Sequence, residues 1–249
     1  MNNLSWQQVS EWHDMHISAD STHVWLLACR QSPEVLDELW SCLDAEERRR
    51  ADRYRFEADR NRFIASRGAL RQVLAAYLQC TPREVLFELA EHGKPRLADP
   101  YDRSLRFNLS TSGDWAMLAV TLGREVGVDV ERINSERADR GIVSYYFAPA
   151  EIQALEAMDE ADWLQGFFNC WTRKEAFIKA TGEGLSRPLD SFEVSLQPGH
   201  PASLISFQGC GQAAKYWRMA ELAEVPGYAS ALVVADSIGQ IHSFIWTPL

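Results

Sequence analysis

Two short stretches of the sequence carry the residues whose types and spacing could do chemistry. The first, residues 126–133, reads V-G-V-D-V-E-R-I. A β-strand points successive side chains to opposite faces, so Asp129 and Glu131 would lie side by side while the valines face the core. Two neighbouring carboxylates repel each other, which raises the free energy of ionising both. The pattern therefore predicts a positive charge close to this strand.

The second stretch, residues 171–182, reads W-T-R-K-E-A-F-I-K-A-T-G. Glu175 and Lys179 are four residues apart and would form a row beside the apolar face of a helix that stops near Gly182. Taken alone, the pair is equally consistent with a simple ion pair between successive helical turns. Together with the two acids of the first stretch, it favours a hard cation, above all Mg²⁺, held by oxygen ligands and shared with a phosphate.

The elements that must position these residues alternate between strand-like and helical patterns. Residues 46–77 and two segments within 149–181 have helical spacing, whereas strand-like runs occupy 22–29, 85–89, 106–110, 115–120, 191–196, 203–207, 216–222 and 229–235. Strands and helices occur in both parts of the chain. The sequence therefore predicts an α+β protein with two halves, residues 1–122 and 123–249.

Composition narrows the class of protein. The formal net charge of −10 argues against a nucleic acid as the main partner, because binding phosphates requires a basic surface. The five cysteines are scattered and form no C-x-x-C pair, which is typical of a reduced protein without a zinc ribbon. The first residues lack the pattern of a secretory signal, and no apolar run approaches the ~20 residues that span a bilayer. We expect a soluble, cytoplasmic protein with no membrane partner.

Five motifs in consistent order resemble those of one enzyme family. The stretches G-V-D-V-E and W-T-R-K-E-A-F-I-K resemble the signature pair of the 4′-phosphopantetheinyl transferases, in the larger single-chain class that includes the surfactin-synthetase-activating enzyme. Three further stretches fit the same class, namely G-K-P (93–95), F-N-L-S-T-S (107–112) and G-E-G-L-S-R-P-L-D-S-F (182–192). The resemblance covers about residues 45–196. It implies two α+β halves related by a pseudo-twofold axis, with the active site at their interface, so that a monomer would suffice.

The resemblance also implies a reaction and a set of site residues. Members of the family move the phosphopantetheine arm of coenzyme A onto a serine of an acyl or peptidyl carrier protein and release adenosine 3′,5′-bisphosphate. By resemblance, Asp129, Glu131 and Glu175 hold Mg²⁺, and Lys179 lies on the phosphoryl oxygens. Either Glu175 or a metal-bound water takes the proton from the attacking serine. The carrier protein and its pathway (fatty acid, polyketide, nonribosomal peptide or another route) stay open.

Coenzyme A is strongly anionic, so a local basic surface is expected despite the acidic total. Residues 48–71 are rich in arginine, whose guanidinium group suits phosphate oxygens. The predicted coenzyme A contacts are one or two of Arg48, Arg49 and Arg50, together with Lys94, Ser110, Thr111 and Lys179. Many family members carry histidine where this sequence has Thr111, which leaves the family's histidine–phosphate contact open here.

Two rival functions fit parts of the same pattern. A metal-dependent nuclease also combines carboxylates with a lysine, but the net charge is unfavourable for it. A non-catalytic relative that binds carrier proteins would not need all four of Asp129, Glu131, Glu175 and Lys179. A turnover assay separates such a relative from an enzyme.

Overall fold

A computed structural model describes residues 5–9, 15–101, 104–207 and 216–248. The helices are α1 (Pro33–Cys42), α2 (Ala45–Ala51), α3 (Glu57–Leu78), α4 (Arg140–Tyr146), α5 (Pro149–Glu156) and α6 (Glu160–Thr181). The strands are β1 (Gln7–Gln8), β2 (Ser21–Ala28), β3 (Phe87–Leu89), β4 (Pro95–Leu97), β5 (Leu105–Ser112), β6 (Trp115–Leu122), β7 (Val126–Arg132), β8 (Phe192–Val194), β9 (Leu204–Phe207), β10 (Trp217–Ala220), β11 (Tyr228–Ala235) and β12 (Gln240–Ile245). The predicted α+β class is confirmed.

The larger sheet has five strands in the order β1-β12-β2-β6-β5. Its last strand in the sequence, β12, pairs in parallel with β2, whereas β2, β6 and β5 are joined by antiparallel pairing. Helices α1 and α3 pack together beside this sheet, and Leu70 and Trp25 share one buried apolar cluster. The chain therefore returns at its C-terminal end to the sheet in which it began.

The second sheet has the order β10-β11-β7 and packs against the long helix α6. Strand and helix approach very closely at Gly127, where a Cβ atom would lie 2.1 Å from the carbonyl oxygen of Ala176 and 2.4 Å from the amide nitrogen of Ala180. Such distances are far inside van der Waals contact, so glycine is required there. Helix α6 ends at Gly182, which has φ of 75°, as the sequence predicts.

The two sheets pack face to face through the valines of β7. Val126, Val128 and Val130 are fully buried in a cluster with residues of β2, β6 and β11. This confirms that the valines of the V-G-V-D-V stretch face a core. Because strand side chains alternate, Asp129 and Glu131 point to the opposite side, toward α6 and β5.

One predicted element differs from the structure. The helical pattern over 46–77 is interrupted, since α2 ends at Ala51 and α3 begins at Glu57. An Asp44–Glu47 capping box defines the start of α2. Among the helices of the described residues, none has the length and apolar character needed to cross a bilayer.

Candidate active site

The centre of the site is the contact between β7 and α6 at Asp129. The Asp129 side chain is 2% exposed, and its Oδ1 accepts a hydrogen bond from Lys179 Nζ at 2.5 Å. Lys179 also donates to Ser110 Oγ at 2.9 Å. In this structure the ammonium of Lys179 is therefore the positive charge beside Asp129.

Strand β5 supplies a row of polar side chains that reach β7. Asn108 Oδ1 accepts from the backbone N–H of Val128 at 2.8 Å, and Ser110 Oγ donates to Asp129 Oδ1 at 2.7 Å. Ser112 Oγ donates to Glu131 Oε2 at 2.6 Å and accepts from a β7 backbone N–H at 3.0 Å. Strands β5 and β7 are edge strands of different sheets. Their backbones do not pair with each other, so these side-chain hydrogen bonds join the two edges instead.

The electrostatics of the site are dominated by unbalanced negative charge. Burial, followed by Asp129, raises the pKa of Glu175 to about 7. Burial also raises the pKa of Glu131, and the hydrogen bond from Ser112 offsets this only in part. Lys179 has the opposite response: burial alone would lower its pKa, but Asp129 and the two glutamates hold it above the ordinary value. Three carboxylates thus share one ammonium.

The carboxylates of Asp129, Glu131 and Glu175 are oxygen ligands of the kind that a divalent cation prefers, although they are not preorganised as a metal site. In the part of the chain that the structure describes, no group of three or more His, Cys, Asp and Glu side chains stands in a metal-binding arrangement. Asp129 Oδ2, however, is buried with no hydrogen-bond partner. A buried carboxylate oxygen without a partner beside two glutamates of raised pKa is a donor set that a hard cation would complete.

A basic cavity adjoins the carboxylates. It has a volume of about 500 Å³ and is bounded by residues of α2, α3, β5 and β7. Its basic lining residues are Arg50, Arg62, Arg67 and Arg137. Thr111, Ser112 and Glu131 also line it, so the cavity opens onto the carboxylate cluster. Guanidinium groups suit an anionic ligand, and Glu131 joins this cavity to the carboxylates.

Two family models match the chain in tandem. The first, described as 4′-phosphopantetheinyl transferase, N-terminal, matches residues 29–123. The second, the 4′-phosphopantetheinyl transferase superfamily, matches residues 125–233 and thus contains β7 and α6.

Comparison with curated proteins extends the match over nearly the whole chain. The 4′-phosphopantetheinyl transferase HetI of Nostoc sp. is 34% identical over 236 residues, which are 94% of this chain and 93% of HetI. The chain belongs to the 4′-phosphopantetheinyl transferases. The 4′-phosphopantetheinyl transferase Sfp of Bacillus subtilis is 31% identical over 70% of this chain and 75% of its own. Among solved structures, Thermotoga maritima holo-[acyl-carrier-protein] synthase matches 45% of this chain and 63% of its own at 20% identity, with a TM-score of 0.36.

Of the predicted coenzyme A contacts in this transferase, the structure brings Arg50 and Thr111 to the basic cavity. Arg48 instead donates to the carbonyl oxygens of Trp40 and Ser41, at 3.1 and 3.2 Å, and lies over the Trp40 ring. Arg49 is exposed on α2. Ser110 lies beneath the cavity wall, where it bonds Asp129 and Lys179.

Lys94 occupies a different place in the transferase from the other predicted contacts. Its ammonium donates to Glu125 Oε2 at 3.0 Å, to the carbonyl oxygen of Val126 at 3.1 Å and to that of Ala180 at 3.2 Å. All three protons of the ammonium thus have acceptors within the protein. The structure does not bring Lys94 together with the basic cavity.

Two other charged residues of the W-T-R-K-E motif hold the fold together. Lys174 is fully buried and donates to Glu151 and to the carbonyl oxygens of Leu189 and Phe192, each at 2.7 Å. Arg173 is also buried and pairs with Glu221 at 2.7 Å. These bonds anchor α6 to the segments around it, so that Glu175 and Lys179 project from a fixed helix.

Asn108 and Ser112 are two residues of the site that were not predicted from the sequence. Both belong to F-N-L-S-T-S, in which small polar residues recur at every second position, 108, 110 and 112. That period of two on a strand puts all three on one face. The sequence pattern thus indicates a polar face on this strand, but it does not indicate which other strand that face contacts.

Proposed function

We propose that this transferase moves the 4′-phosphopantetheine group of coenzyme A to a serine of an acyl or peptidyl carrier protein. The serine oxygen attacks the phosphorus atom that carries the pantetheine arm, and a new P–O bond forms. The bond from that phosphorus to the bridging oxygen breaks, and the electron pair leaves with adenosine 3′,5′-bisphosphate. The observation that carries the proposal is the ammonium of Lys179 held on buried Asp129 beside two glutamates and a basic cavity.

The role of Lys179 in this proposal is electrostatic. Phosphoryl transfer requires in-line placement and stabilisation of negative charge on non-bridging and leaving oxygens. Lys179 is 28% exposed and is oriented by Asp129 and Ser110, so its charge is fixed before substrate arrives. A positioned cation contributes most where charge grows in the transition state.

Glu175 is the protein group best suited to accept the serine proton. A general base must be ionised to accept a proton. Burial and Asp129 raise the pKa of Glu175 to about 7 in the metal-free protein, and a bound cation would lower it and keep the carboxylate ionised. Within the described residues its carboxylate has no hydrogen-bond partner that would hold it away from a substrate. A water activated beside Glu175 is the alternative route for the same proton.

We propose that Asp129, Glu131 and Glu175 hold Mg²⁺ during the reaction. The orphaned Oδ2 of Asp129 and the surplus of carboxylates over ammonium support this assignment. When bound, the cation would neutralise charge on the diphosphate. Binding requires ionised carboxylates, so the metal would also lower the pKa of Glu175.

Coenzyme A binding is assigned to the basic cavity, with Arg50 and Thr111 as contacts and Lys179 at the phosphoryl end. We propose that a pseudo-twofold axis relates two halves of the chain. The boundary between them lies at residues 122–123, and the active site lies at their interface. The row from β5 to β7 supports this assignment, and β12 would then cross back into the first half. Because both proposed halves belong to one chain, we propose that a monomer suffices for activity.

The test is transfer to a purified apo-carrier protein. The protein is incubated with coenzyme A, Mg²⁺ and an apo-acyl or apo-peptidyl carrier protein, and the carrier is examined by intact-mass spectrometry. We expect a mass gain of one phosphopantetheine group in wild type. The gain should be lost with EDTA and in Glu175→Ala. A carrier protein whose acceptor serine is replaced by alanine is the control and should stay unmodified.

A further inference from the structure

Lys94 belongs to the G-K-P motif and lies at the end of the hairpin formed by β3 and β4. Its side chain is 14% exposed, and its three hydrogen-bond acceptors lie on three different segments. Glu125 precedes β7, Val126 begins β7, and Ala180 lies in the last turn of α6. A single ammonium thus joins the hairpin to the two elements that carry the active-site acids.

The bonds of Lys94 lie at the closest approach of those two elements. Gly127 follows Val126 directly, and it is the residue that permits the tight contact of β7 with Ala176 and Ala180. Lys94 therefore bridges β7 and α6 at the same level at which Gly127 lets them touch. Asp129 lies two residues beyond Gly127, and Lys179 immediately precedes Ala180. Any opening of this joint would change the 2.5 Å contact between Lys179 and Asp129.

Glu125 extends the same network to β5. Its Oε1 accepts from Arg106 Nε at 2.7 Å, and its Oε2 accepts from Lys94 at 3.0 Å. Burial alone would raise the pKa of Glu125, but Lys94 and Arg106 hold it below the ordinary value. The carboxylate is thus ionised at neutral pH and bound from both sides. Arg106 lies on the strand that also presents Ser110.

The occupied ammonium makes Lys94 a poor phosphate ligand. A lysine has three donor protons, and to bind a phosphate oxygen Lys94 would have to give up one of its present acceptors. Two of those acceptors are backbone carbonyl groups, one of them at the C-terminal end of a helix, where a cation is favourable. If Lys94 turned to a phosphate, one of these acceptors would therefore lose its hydrogen-bond donor.

We propose that Lys94 is a positioning residue of the transfer reaction, which fixes the separation of β7 and α6 and so the geometry of Asp129 with Lys179. This proposal rests on the proposed function. It assigns Lys94 an effect on the rate of transfer and little effect on the affinity for coenzyme A.

The test compares Lys94→Met with wild type by steady-state kinetics and by calorimetric titration with coenzyme A and Mg²⁺ in the absence of carrier protein. Misplacement by about 1 Å can lower a rate by up to about 100-fold, so we expect kcat to fall about ten-fold or more. The Kd for coenzyme A should change by less than about three-fold, since no ligand contact is lost. Arg96→Met is the matched control, because Arg96 lies on the same hairpin, is 53% exposed and pairs with Glu88. It should behave as wild type.

The variant Glu125→Gln distinguishes a positioning role of Lys94 from a phosphate-binding role, because the two roles predict different changes. If Lys94 positions β7 and α6, this variant also lowers kcat, because it weakens the network without touching the ligand. If Lys94 binds phosphate, removing the competing carboxylate frees the ammonium, and coenzyme A should bind more tightly. Glu125→Gln keeps the shape of the side chain, so it carries the test if Lys94→Met does not fold.

Loss of kcat with nearly unchanged affinity in Lys94→Met, or in Glu125→Gln, supports the proposal. A ten-fold or greater loss of affinity in Lys94→Met with kcat retained, or tighter binding in Glu125→Gln, overturns it while wild-type transfer remains. Failure of the wild-type protein to modify any carrier overturns the proposed function, and the positioning role with it.

Discussion

Lys179 Nζ lies 2.5 Å from Oδ1 of Asp129, a carboxylate that is 2% exposed. This contact joins α6 to β7, and the bond from Lys179 to Ser110 extends it to β5. One ammonium thus holds together the three elements that form the site. In the proposed mechanism the same ammonium contacts the phosphoryl oxygens. Lys179 Nζ would therefore have both a structural and a catalytic role.

Replacing Lys179 by methionine should lower kcat by about 100-fold or more, the size of effect seen when one fixed transition-state donor is removed. The Kd for coenzyme A should rise much less, because the charge that Lys179 stabilises grows during the reaction. Transient kinetics and calorimetric titration measure the two quantities separately. An equal loss in rate and in affinity would mean that Lys179 acts only in ground-state binding.

Glu175 makes apo-protein stability depend on pH. Its folded-state pKa is about 7, above the ordinary value of 4.5, so between these pH values the folded protein holds a proton that the unfolded chain has lost. The free energy of unfolding should therefore fall as pH rises from about 4.5 to 7 and stay low above it. Glu175→Gln should make this fall smaller, while Glu131 and Glu151, whose pKa values burial also raises, still contribute to it. The variant should be more stable than wild type at pH 8 by about 1–3 kcal/mol.

Urea denaturation at several pH values, without metal, measures this dependence for the Glu175 variant. Glu156→Gln is the control, because Glu156 is exposed on α5 and should leave the wild-type profile unchanged. If Glu175→Gln follows the wild-type curve, the site does not hold Glu175 protonated near neutral pH.

Ser112 should matter through Glu131. Ser112→Ala removes the donor to Glu131 Oε2, so the pKa of Glu131 should rise further and the acid limb of the kcat/KM profile should move to higher pH. We expect activity on the acid side of the profile to fall by up to about ten-fold, in line with the roughly 1.5–3 kcal/mol of a hydrogen bond to a charged group. Ser112→Thr keeps the hydroxyl and should restore the profile. An unshifted acid limb in Ser112→Ala would separate Glu131 from the pH dependence.

Arg50 and Arg49 are neighbours on α2 with different surroundings. Both are exposed, but only Arg50 is among the residues that line the basic cavity, and it lies over the Phe63 ring. Arg50→Ala should weaken coenzyme A binding about ten-fold or more, since a charged hydrogen bond is lost, and Arg49→Ala should change it less than about two-fold. Fluorescence or calorimetric titration gives both constants. Equal effects of the two substitutions would place coenzyme A outside this cavity.

The part of the site that follows from local patterns could be predicted. Alternation along 126–133 placed the valines in a core and the two acids on the other face, and the four-residue spacing in α6 put Glu175 and Lys179 on one side of the helix. Lys179 places one positive charge beside Asp129, whereas the cation that the pattern predicts there stays a prediction. These relationships depend only on the periods of strand and helix.

The part that depends on distant segments could not be predicted. Ser112 meets Glu131 because two edge strands lie side by side, and no local period specifies which strands do so. The same holds for β12, which pairs in parallel with β2 more than 200 residues earlier. A motif also does not specify what its side chains contact. The G-K-P motif suggests that Lys94 contacts a ligand, whereas its three hydrogen-bond acceptors lie in the protein.

The proposed transfer is tested most directly by measuring both products of one reaction. The protein, coenzyme A, Mg²⁺ and an apo-carrier protein are mixed, and carrier mass and released nucleotide are determined in the same sample. We expect one adenosine 3′,5′-bisphosphate for each phosphopantetheine group on serine. Both products should be lost in Glu175→Ala and form much more slowly in Lys179→Met. Full transfer by Glu175→Ala, or nucleotide release without modified serine, would contradict it.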